Sequence, residues 1–307
     1  LTMDFGQKFE PKGNRIIHGA GQSIEQFRKY WNVTEYNKPL VYMAYNRIND
    51  IQEKFPRKLK ELCSIDKKLW LQLGLNLKPK GEKEKCREIV QGKYDKEIDF
   101  LVKTLKNFKN PVFLRIGYEF NNPTHNYKPS EFIQAWKYIV DFFRKNKIDN
   151  VAFVWDACTA FNRDLREIMI YYPGDEYVDW FGNNLFGIQH FKDNEDKVTE
   201  GFAEESELHR KPLIICESSA TKSGVLKGKE SWDLWFYPFF KWIKSHPVTK
   251  AFCYIDWDWA VDWKIPEWGN CRIEENLFVK EKYIQELSNK EYIHVHKSKT
   301  TFFRMWS

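Results

Sequence analysis

With 307 residues, 42% of them hydrophobic and 30% charged, and no low-complexity block or repeat, the chain is globular in composition and long enough for one large barrel domain. Its net charge of +6 comes from Lys and Arg interspersed with Asp and Glu, which excludes the basic stripe of a nucleic-acid binder, and no apolar run reaches membrane-span length. Aromatics make up 17% of the chain, with 13 Trp, a surplus expected where flat sugar rings or bases are stacked.

Residues 1–14 are polar and carry Gly6, Pro11 and Gly13, as expected of an arm crossing the base of a barrel. Arg15–Gln22 reads as a first strand ending in a Gly-rich turn. Ser23 is the expected N-cap of a helix over Ile24–Trp31, with Gln26 at the capping-box position. Pro39–Arg47 is a second strand, Glu53–Cys63 a helix and Leu69–Asn76 a third strand, followed by a Lys/Gly-rich loop over 78–93. In Asp95–Asn107, Ile98, Leu101, Val102 and Leu105 recur at helical spacing.

Pro111-Val-Phe-Leu-Arg-Ile-Gly-Tyr-Glu-Phe-Asn121 opens as a near-continuous apolar run, the pattern of a strand buried on both faces. Pro129 and Ser130 begin an amphipathic helix. Val151–Asp156 is strand five and Tyr177–Phe186 strand six, introduced by the turn Tyr172–Glu176. A helix over Glu195–His209 precedes strand seven, Pro212–Ala220. A Trp-rich helix over Ser231–Ser245 precedes strand eight, Val248–Trp259. A helix near Val279–Leu287 closes the ring, and 289–307 is a basic, aromatic tail.

Strands and helices alternating eight times predict an α/β fold, a (β/α)8 TIM barrel forming a single catalytic domain over 1–307. A doubly wound open sheet would call for a Gly-rich phosphate fingerprint after the first strand, and His18-Gly-Ala-Gly-Gln-Ser23 is not GxGxxG. Six cysteines (63, 86, 158, 216, 253 and 271) have no metal-like spacing. Cys158, Cys216 and Cys253 fall in or beside buried strands, where free Cys serves as a small hydrophobe, so no disulfide framework is expected.

Chemistry in such barrels sits at the C-terminal ends of the strands. Glu119 ends strand four, and Glu217, in Pro-Leu-Ile-Ile-Cys-Glu, ends strand seven, nearly opposite across the mouth. Two carboxylates aimed into one pocket suit glycoside hydrolysis: one protonates the leaving oxygen, the other attacks the anomeric carbon, at a separation of ~5–5.5 Å in retaining enzymes. Burial and mutual repulsion should raise the pKa of the acid and leave the nucleophile ionised.

Three segments, Arg115-Ile-Gly-Tyr-Glu-Phe-Asn121, Tyr172-Pro-Gly-Asp-Glu-Tyr-Val-Asp179 and Lys211-Pro-Leu-Ile-Ile-Cys-Glu217, make the chain resemble clan A glycoside hydrolases, and most of all the family 26 mannanase-like enzymes. The resemblance implies a retaining hydrolase of β-glycosidic bonds, with Glu119 as acid/base and Glu217 as nucleophile. The family's mannanases carry His before the acid/base and an Asp and Tyr after strand six. Here Tyr118, Asn184 and Phe186 stand in those places, so the resemblance carries the reaction type further than it carries the sugar.

Candidate substrate-binding groups lie at the other strand ends. Trp257 and Trp259 are candidate sugar platforms, with Asp256 and Asp258 beside them for hydroxyls, and Trp155 is a further candidate. Arg47 is a candidate partner of the nucleophile or of an anionic sugar substituent. Asn76, Tyr118, Asn121 and Asn184 are polar groups of the kind that read hydroxyls, while His18 and His125 are expected to be structural. No cofactor or metal is expected. The expected partner is a polysaccharide or oligosaccharide, an anionic one included, with no nucleic acid and no membrane span. No signal peptide is visible and the chain starts at Leu1, as in a trimmed mature fragment, so a secreted, periplasmic or cell-surface location is expected. A carbohydrate-binding barrel without turnover and a transglycosylase using the same pair are the alternatives. The loops at 78–93, 121–130, 187–197 and 220–231 are expected to shape the cleft.

Overall fold

Along Trp70–Asn76 the leucines 71, 73 and 75 alternate with Trp70, Gln72, Gly74 and Asn76, and the pleat sends the two sets to opposite faces. In a computed structural model describing residues 3–191 and 197–295, the leucines face the surrounding helices and the other set lines a lumen. Eight parallel strands build that lumen: β1 (Ile16–Gly21), β2 (Val41–Arg47), β3 (Trp70–Asn76), β4 (Val112–Ile116), β5 (Val151–Ala157), β6 (Trp180–Leu185), β7 (Leu213–Ser218) and β8 (Thr249–Ile255). Each pairs with the next, and β1 pairs with both β8 and β2, closing the (β/α)8 barrel. Inside the expected tail, β9 (Tyr292–Ile293) adds in parallel to the start of β1. Residues 296–307 of that tail lie outside the described residues.

The lumen changes character from bottom to top. At the base Phe113 meets Trp180 edge-on at 5.0 Å, and Phe9 of the N-terminal arm packs on Trp70 at 5.8 Å. The indole of Trp180 donates to the Lys8 carbonyl at 2.7 Å, so the arm plugs the base as expected for residues 3–14. Higher up, aromatic filling gives way to Gln72, Arg115, Asp156 and Glu217. A closed, dry base beneath a polar mouth is what lets polar groups be held rigidly there.

Helix edges differ from expectation by a few residues. The first helix runs Ile24–Val33, and Ser23 Oγ accepts from the Gln26 N–H at 3.4 Å. The Gln26 side chain does not close a capping box. It donates to Asp256 at 2.9 Å and Glu274 at 3.0 Å instead. Further round the ring lie helices Ile51–Ile65, Asp95–Phe108, Pro129–Lys145, Lys197–Leu208 and Leu277–Leu287. Residues 195 and 196, expected at the start of the helix that includes Lys197–Leu208, lie outside the described residues. The Trp-rich helix begins at Lys229 and passes through a π-turn over Trp232–Phe236. A short helix, Cys86–Val90, sits in the stretch expected to be loop.

Candidate active site

Strand β4 stops at Ile116 because the next residues leave extended geometry. Gly117 has φ +56°, and a Cβ there would lie 2.7 Å from Phe132 Cε2, so only glycine fits. Glu119 also has a left-handed backbone, φ +47°, which is uncommon for a non-glycine residue and is kept only where surroundings impose it. They do: its N–H donates to Asp156 Oδ2 at 3.4 Å, its carbonyl accepts from Asn122 N at 2.8 Å, and His125 Nδ1 lies 3.0 Å from that carbonyl. Burial pushes His125 down to about 4. Its ring is therefore neutral at neutral pH, with Nδ1–H donating to Glu119.

The Glu119 carboxyl accepts from Asn184 Nδ2 at 2.9 Å on Oε1 and from Asn122 Nδ2 at 3.0 Å on Oε2. Burial raises its pKa, and the two amides, which favour the charged form, oppose that rise. Across the mouth Glu217, 6% exposed, accepts on Oε1 from Tyr45 Oη at 2.6 Å and from Arg115 Nη1 at 2.9 Å. Its carboxyl is also pushed up, first by burial and further by the charge of Glu119, while Arg115 pulls it down. The nucleophile candidate is thus not simply left ionised by its surroundings. Its ionised form depends on Arg115 and Tyr45.

Arg115 is fully buried, and Nη1 also donates to Asp156 Oδ2 at 2.8 Å. Its guanidinium lies against the rings of Tyr45 and Tyr118, at 5.1 and 5.2 Å from their centroids. Two carboxylates and two ring faces offset the cost of taking the charge out of water. Gly74 makes room for the arrangement, since a Cβ there would meet Tyr118 and Tyr45 at 2.8 Å each. Burial pushes Asp156 up to about 6, against the pull of Arg115.

The structure brings Glu119, Glu217, Tyr118, Asn76 and Asn184 together. Asn76 is committed inside the protein: Nδ2 donates to Tyr118 Oη at 3.4 Å and Oδ1 accepts from Tyr127 Oη at 3.2 Å. It therefore orients Tyr118 rather than presenting a free amide. Asn184 holds Glu119 with its amide nitrogen, and its buried Oδ1 has no protein partner among the described residues. Trp257 and Trp259 meet at 5.2 Å at the rim beyond β8, and Trp259 Nε1 donates to Ser219 Oγ at 2.9 Å, two residues on from Glu217.

Other expectations need correction. Arg47 does not hydrogen-bond Glu217; Arg115 and Tyr45 do so, and Arg47 sits on the rim as the strand neighbour of Asn76. Trp155 is fully buried among Phe120, Phe181 and Phe202, with Nε1 donating to the Tyr171 carbonyl at 3.2 Å. It faces the helices because its neighbour Asp156 faces the lumen, so it is core and not a sugar platform. Asn121 spends its amide within the protein, exchanging bonds of 2.8 and 2.9 Å with the Cys158 backbone and donating to Asn162 at 2.6 Å. Asp256 is buried against Gln26 and the Ile273 N–H and is not free for a hydroxyl, while Asp258 caps Trp259–Asp262 through Oδ1. His18 needs no correction: as expected it is structural, outside the lumen and hydrogen-bonded to Tyr30 and His294.

Arg115, Asp156 and Tyr45 were not singled out from the sequence as site residues. One signal was available: a lone Arg inside Val-Phe-Leu-Arg-Ile must be buried, and a buried charge requires partners. All six cysteines are free. Among the described residues no group of three or more His, Cys, Asp or Glu is arranged to hold a metal ion, and no helix is long and apolar enough to cross a membrane.

The fold recurs among known proteins. The model of glycosyl hydrolase family 26 matches residues 79–208, a span that includes Glu119 and Asn184 and stops short of Glu217. A β-1,3-xylanase from Vibrio sp. is 29% identical over 232 residues, 67% of this chain and 50% of that protein. One from Alcaligenes sp. is 28% identical over 232 residues, 67% of this chain and 49% of that protein. The chain spans about half the length of these relatives. Among solved structures, the catalytic domain of a Bacillus sp. family 26 endo-β-1,4-mannanase superposes with a TM-score of 0.67 at 11% identity, covering 95% of this chain and 90% of that one. A family 26 protein from Muricauda sp. gives 0.64 at 14% identity, covering 94% and 88%.

Proposed function

From its likeness to the family 26 glycoside hydrolases of clan A, in sequence and in fold, we propose that the chain is a retaining glycosidase acting on β-linked polysaccharide, with Glu119 as general acid/base and Glu217 as nucleophile. The observation that carries the proposal is the unequal solvation of two strand-end carboxyls facing one mouth. Neutral amides hold Glu119, whereas a cation and a phenol hold Glu217. Burial with weak opposing donors favours a protonated Glu119 able to give its proton to the leaving oxygen. The positive charge of Arg115 favours an ionised Glu217.

Both donors to Glu217 converge on Oε1, which leaves Oε2 to attack the anomeric carbon. The proton of Glu119 passes to the glycosidic oxygen as that bond breaks, and a covalent glycosyl–Glu217 ester forms. Glu119, now ionised, takes a proton from water as the water attacks the same carbon, releasing Glu217 with the original anomeric configuration.

For the substrate, β-1,3-linked xylan is the first choice. The two relatives that match over 232 residues are named β-1,3-xylanases, while a protein named mannan endo-1,4-β-mannosidase matches over only 158. Tyr118 and Phe186, where the family's mannanases carry other residues, weigh against mannan. We also propose an extracytoplasmic location, since a polymer of this kind has to be met where it lies. Reducing-end release from β-1,3-xylan and β-1,4-mannan, with NMR of the first-formed anomer, tests the assignment. Glu119→Ala and Glu217→Ala should each lose nearly all activity while staying folded. Full activity in either variant, or an inverted product, overturns it.

A further inference from the structure

The rim beyond β8 carries an aromatic feature that the two-carboxylate chemistry does not use. From Asp258 to Asn270 the chain doubles back on itself: these two residues form an antiparallel bridge, Trp259 N bonds the Gly269 carbonyl at 3.0 Å, and Cys271 N bonds the Trp257 carbonyl at 2.8 Å. At the tip of this excursion Trp263 is 58% exposed. A large indole left in water costs hydrophobic free energy that the fold could avoid with a polar residue.

Trp263 is also held in place. It packs on Trp257, itself 7% exposed, at 5.6 Å with the rings inclined by 35°. Its N–H bonds the Trp259 carbonyl at 3.2 Å. The segment beneath it is anchored by Arg272 Nη2, which reaches both carboxylate oxygens of Asp262 at 3.0 and 2.9 Å, and by Asp258 N, which donates to Asp262 at 2.9 Å. The flat face is therefore preorganised, which lowers the entropy cost of using it.

Its position gives the ligand class. Trp259 is bonded to Ser219, two residues from Glu217, and touches Trp257 at 5.2 Å; Trp257 in turn touches Trp263. An unbroken row of indoles thus leads from the nucleophile's own strand end to the outside of the barrel. Trp257 Nε1 is buried with no protein partner among the described residues, so the surface the row offers to solvent at its outer end is the indole of Trp263. An exposed flat apolar face, fixed in place, suits a pyranose ring, one side of which is apolar.

We propose that Trp263, backed by Trp257, is a distal sugar-binding platform that takes a pyranose unit of the polysaccharide beyond the units at the cleavage point. This rests on the glycosidase assignment for the identity of the polymer, but binding can be read without turnover. Loss of an aromatic stacking contact predicts an effect of about 3- to 10-fold in affinity, equivalent to about 0.65–1.4 kcal/mol.

The test compares Trp263→Ala, Trp263→Phe and a control, Val261→Ala, an exposed neighbour. Each is made in a Glu119→Gln background and run by affinity electrophoresis in gels containing β-1,3-xylan. The platform predicts that Trp263→Ala loses about 3- to 10-fold in affinity, that Trp263→Phe recovers part of it, and that the control matches its parent. In the active chain the kcat/KM on long oligosaccharides should fall relative to that on the shortest substrate cleaved. Equal retardation of the parent and Trp263→Ala, or an equal loss on long and short substrates, overturns the proposal. Retardation that depends on Trp263 in a chain without turnover supports the platform while counting against hydrolysis.

Discussion

Arg115 reaches Glu217 and Asp156 through a single nitrogen, Nη1, at 2.9 and 2.8 Å, so the charge of one candidate catalytic carboxyl is balanced by a guanidinium that the other side of the barrel also claims. Strands β4, β5 and β7 are coupled through that atom. Replacing Arg115 by Met leaves two buried acids facing each other without their cation. The expected result is a loss of activity on the order of 10²-fold or more, as for removal of a preorganised charge at a reacting centre. Arg115→Lys should not rescue it, since an ammonium cannot reproduce the planar contact with both tyrosine rings. The pH profile separates this from a folding defect. Arg115 favours the ionised form of Glu217, so its loss raises that pKa and moves the acidic limb of kcat/KM to higher pH. An unmoved acidic limb in a folded variant would show that Arg115 does not set the charge of Glu217.

Asn184 tunes the other carboxyl. Its amide hydrogen favours ionised Glu119, opposing burial. In Asn184→Leu that opposition is gone, the Glu119 pKa rises, and the alkaline limb of the profile moves to higher pH. Asn184→Asp should move it further in the same direction, because a second negative charge opposes deprotonation. Steady-state rates across pH 4–9 would decide the matter, and a downward shift in either variant would contradict the assignment of Glu119 as the acid.

Gly74 is a packing requirement of the site. Any Cβ at this lumen position collides with both Tyr45 and Tyr118 at 2.8 Å, and those rings support Arg115. Gly74→Ala is expected to cost about 1–3 kcal/mol of stability by overpacking and to lower kcat by displacing Tyr45 from Glu217. Denaturant titration with kinetics at saturating substrate checks both parts. Wild-type kcat in the folded variant would show that the tyrosines have slack.

The fold was legible because a parallel barrel writes itself as repeated apolar runs, and the strands fall within the expected stretches, except that β5 runs one residue further, to Ala157. The carboxyl pair was legible because chemistry-bearing residues at strand ends interrupt those runs. The parity of each strand was harder to see. In β5, Trp155 and Asp156 are adjacent and both lie near the end of the strand, yet one faces the helices and the other the lumen. An apolar run on both faces hides the alternation that would tell them apart. The same blindness made Arg47, at a strand end, the candidate partner of Glu217 or of an anionic sugar substituent, when the cation on Glu217 is Arg115 in mid-strand. Asn76 and Asn121 sit where sugar-reading groups sit, but local backbone geometry, which residue type does not encode, turns their amides inward.

Outside the barrel, His18 offers a test of stability independent of catalysis. Its Nε2 lies 2.6 Å from Tyr30 Oη and its Nδ1 3.0 Å from His294 Nδ1, joining β1 to the helix Ile24–Val33 and to the residue after β9. Tyr30 Oη continues to Tyr283 Oη at 2.7 Å in the last helix. Burial holds His18 well below the ordinary imidazole range, and a charge on His294 lowers it further. Folded His18 is thus neutral where unfolded His, with a pKa of about 6.5, begins to take a proton. Stability is therefore full above about pH 6.5 and falls as pH drops through that value toward the folded pKa, by at most about 1.4 kcal/mol per pH unit for this one group. His18→Phe removes the proton-binding difference. It should be less stable than the parent at pH 8, where only the lost hydrogen bonds count. Its stability should then decline less steeply between pH 6.5 and 5. Urea unfolding at pH 8, 6.5 and 5 measures both, and parallel curves for parent and variant would remove His18 from the acid response.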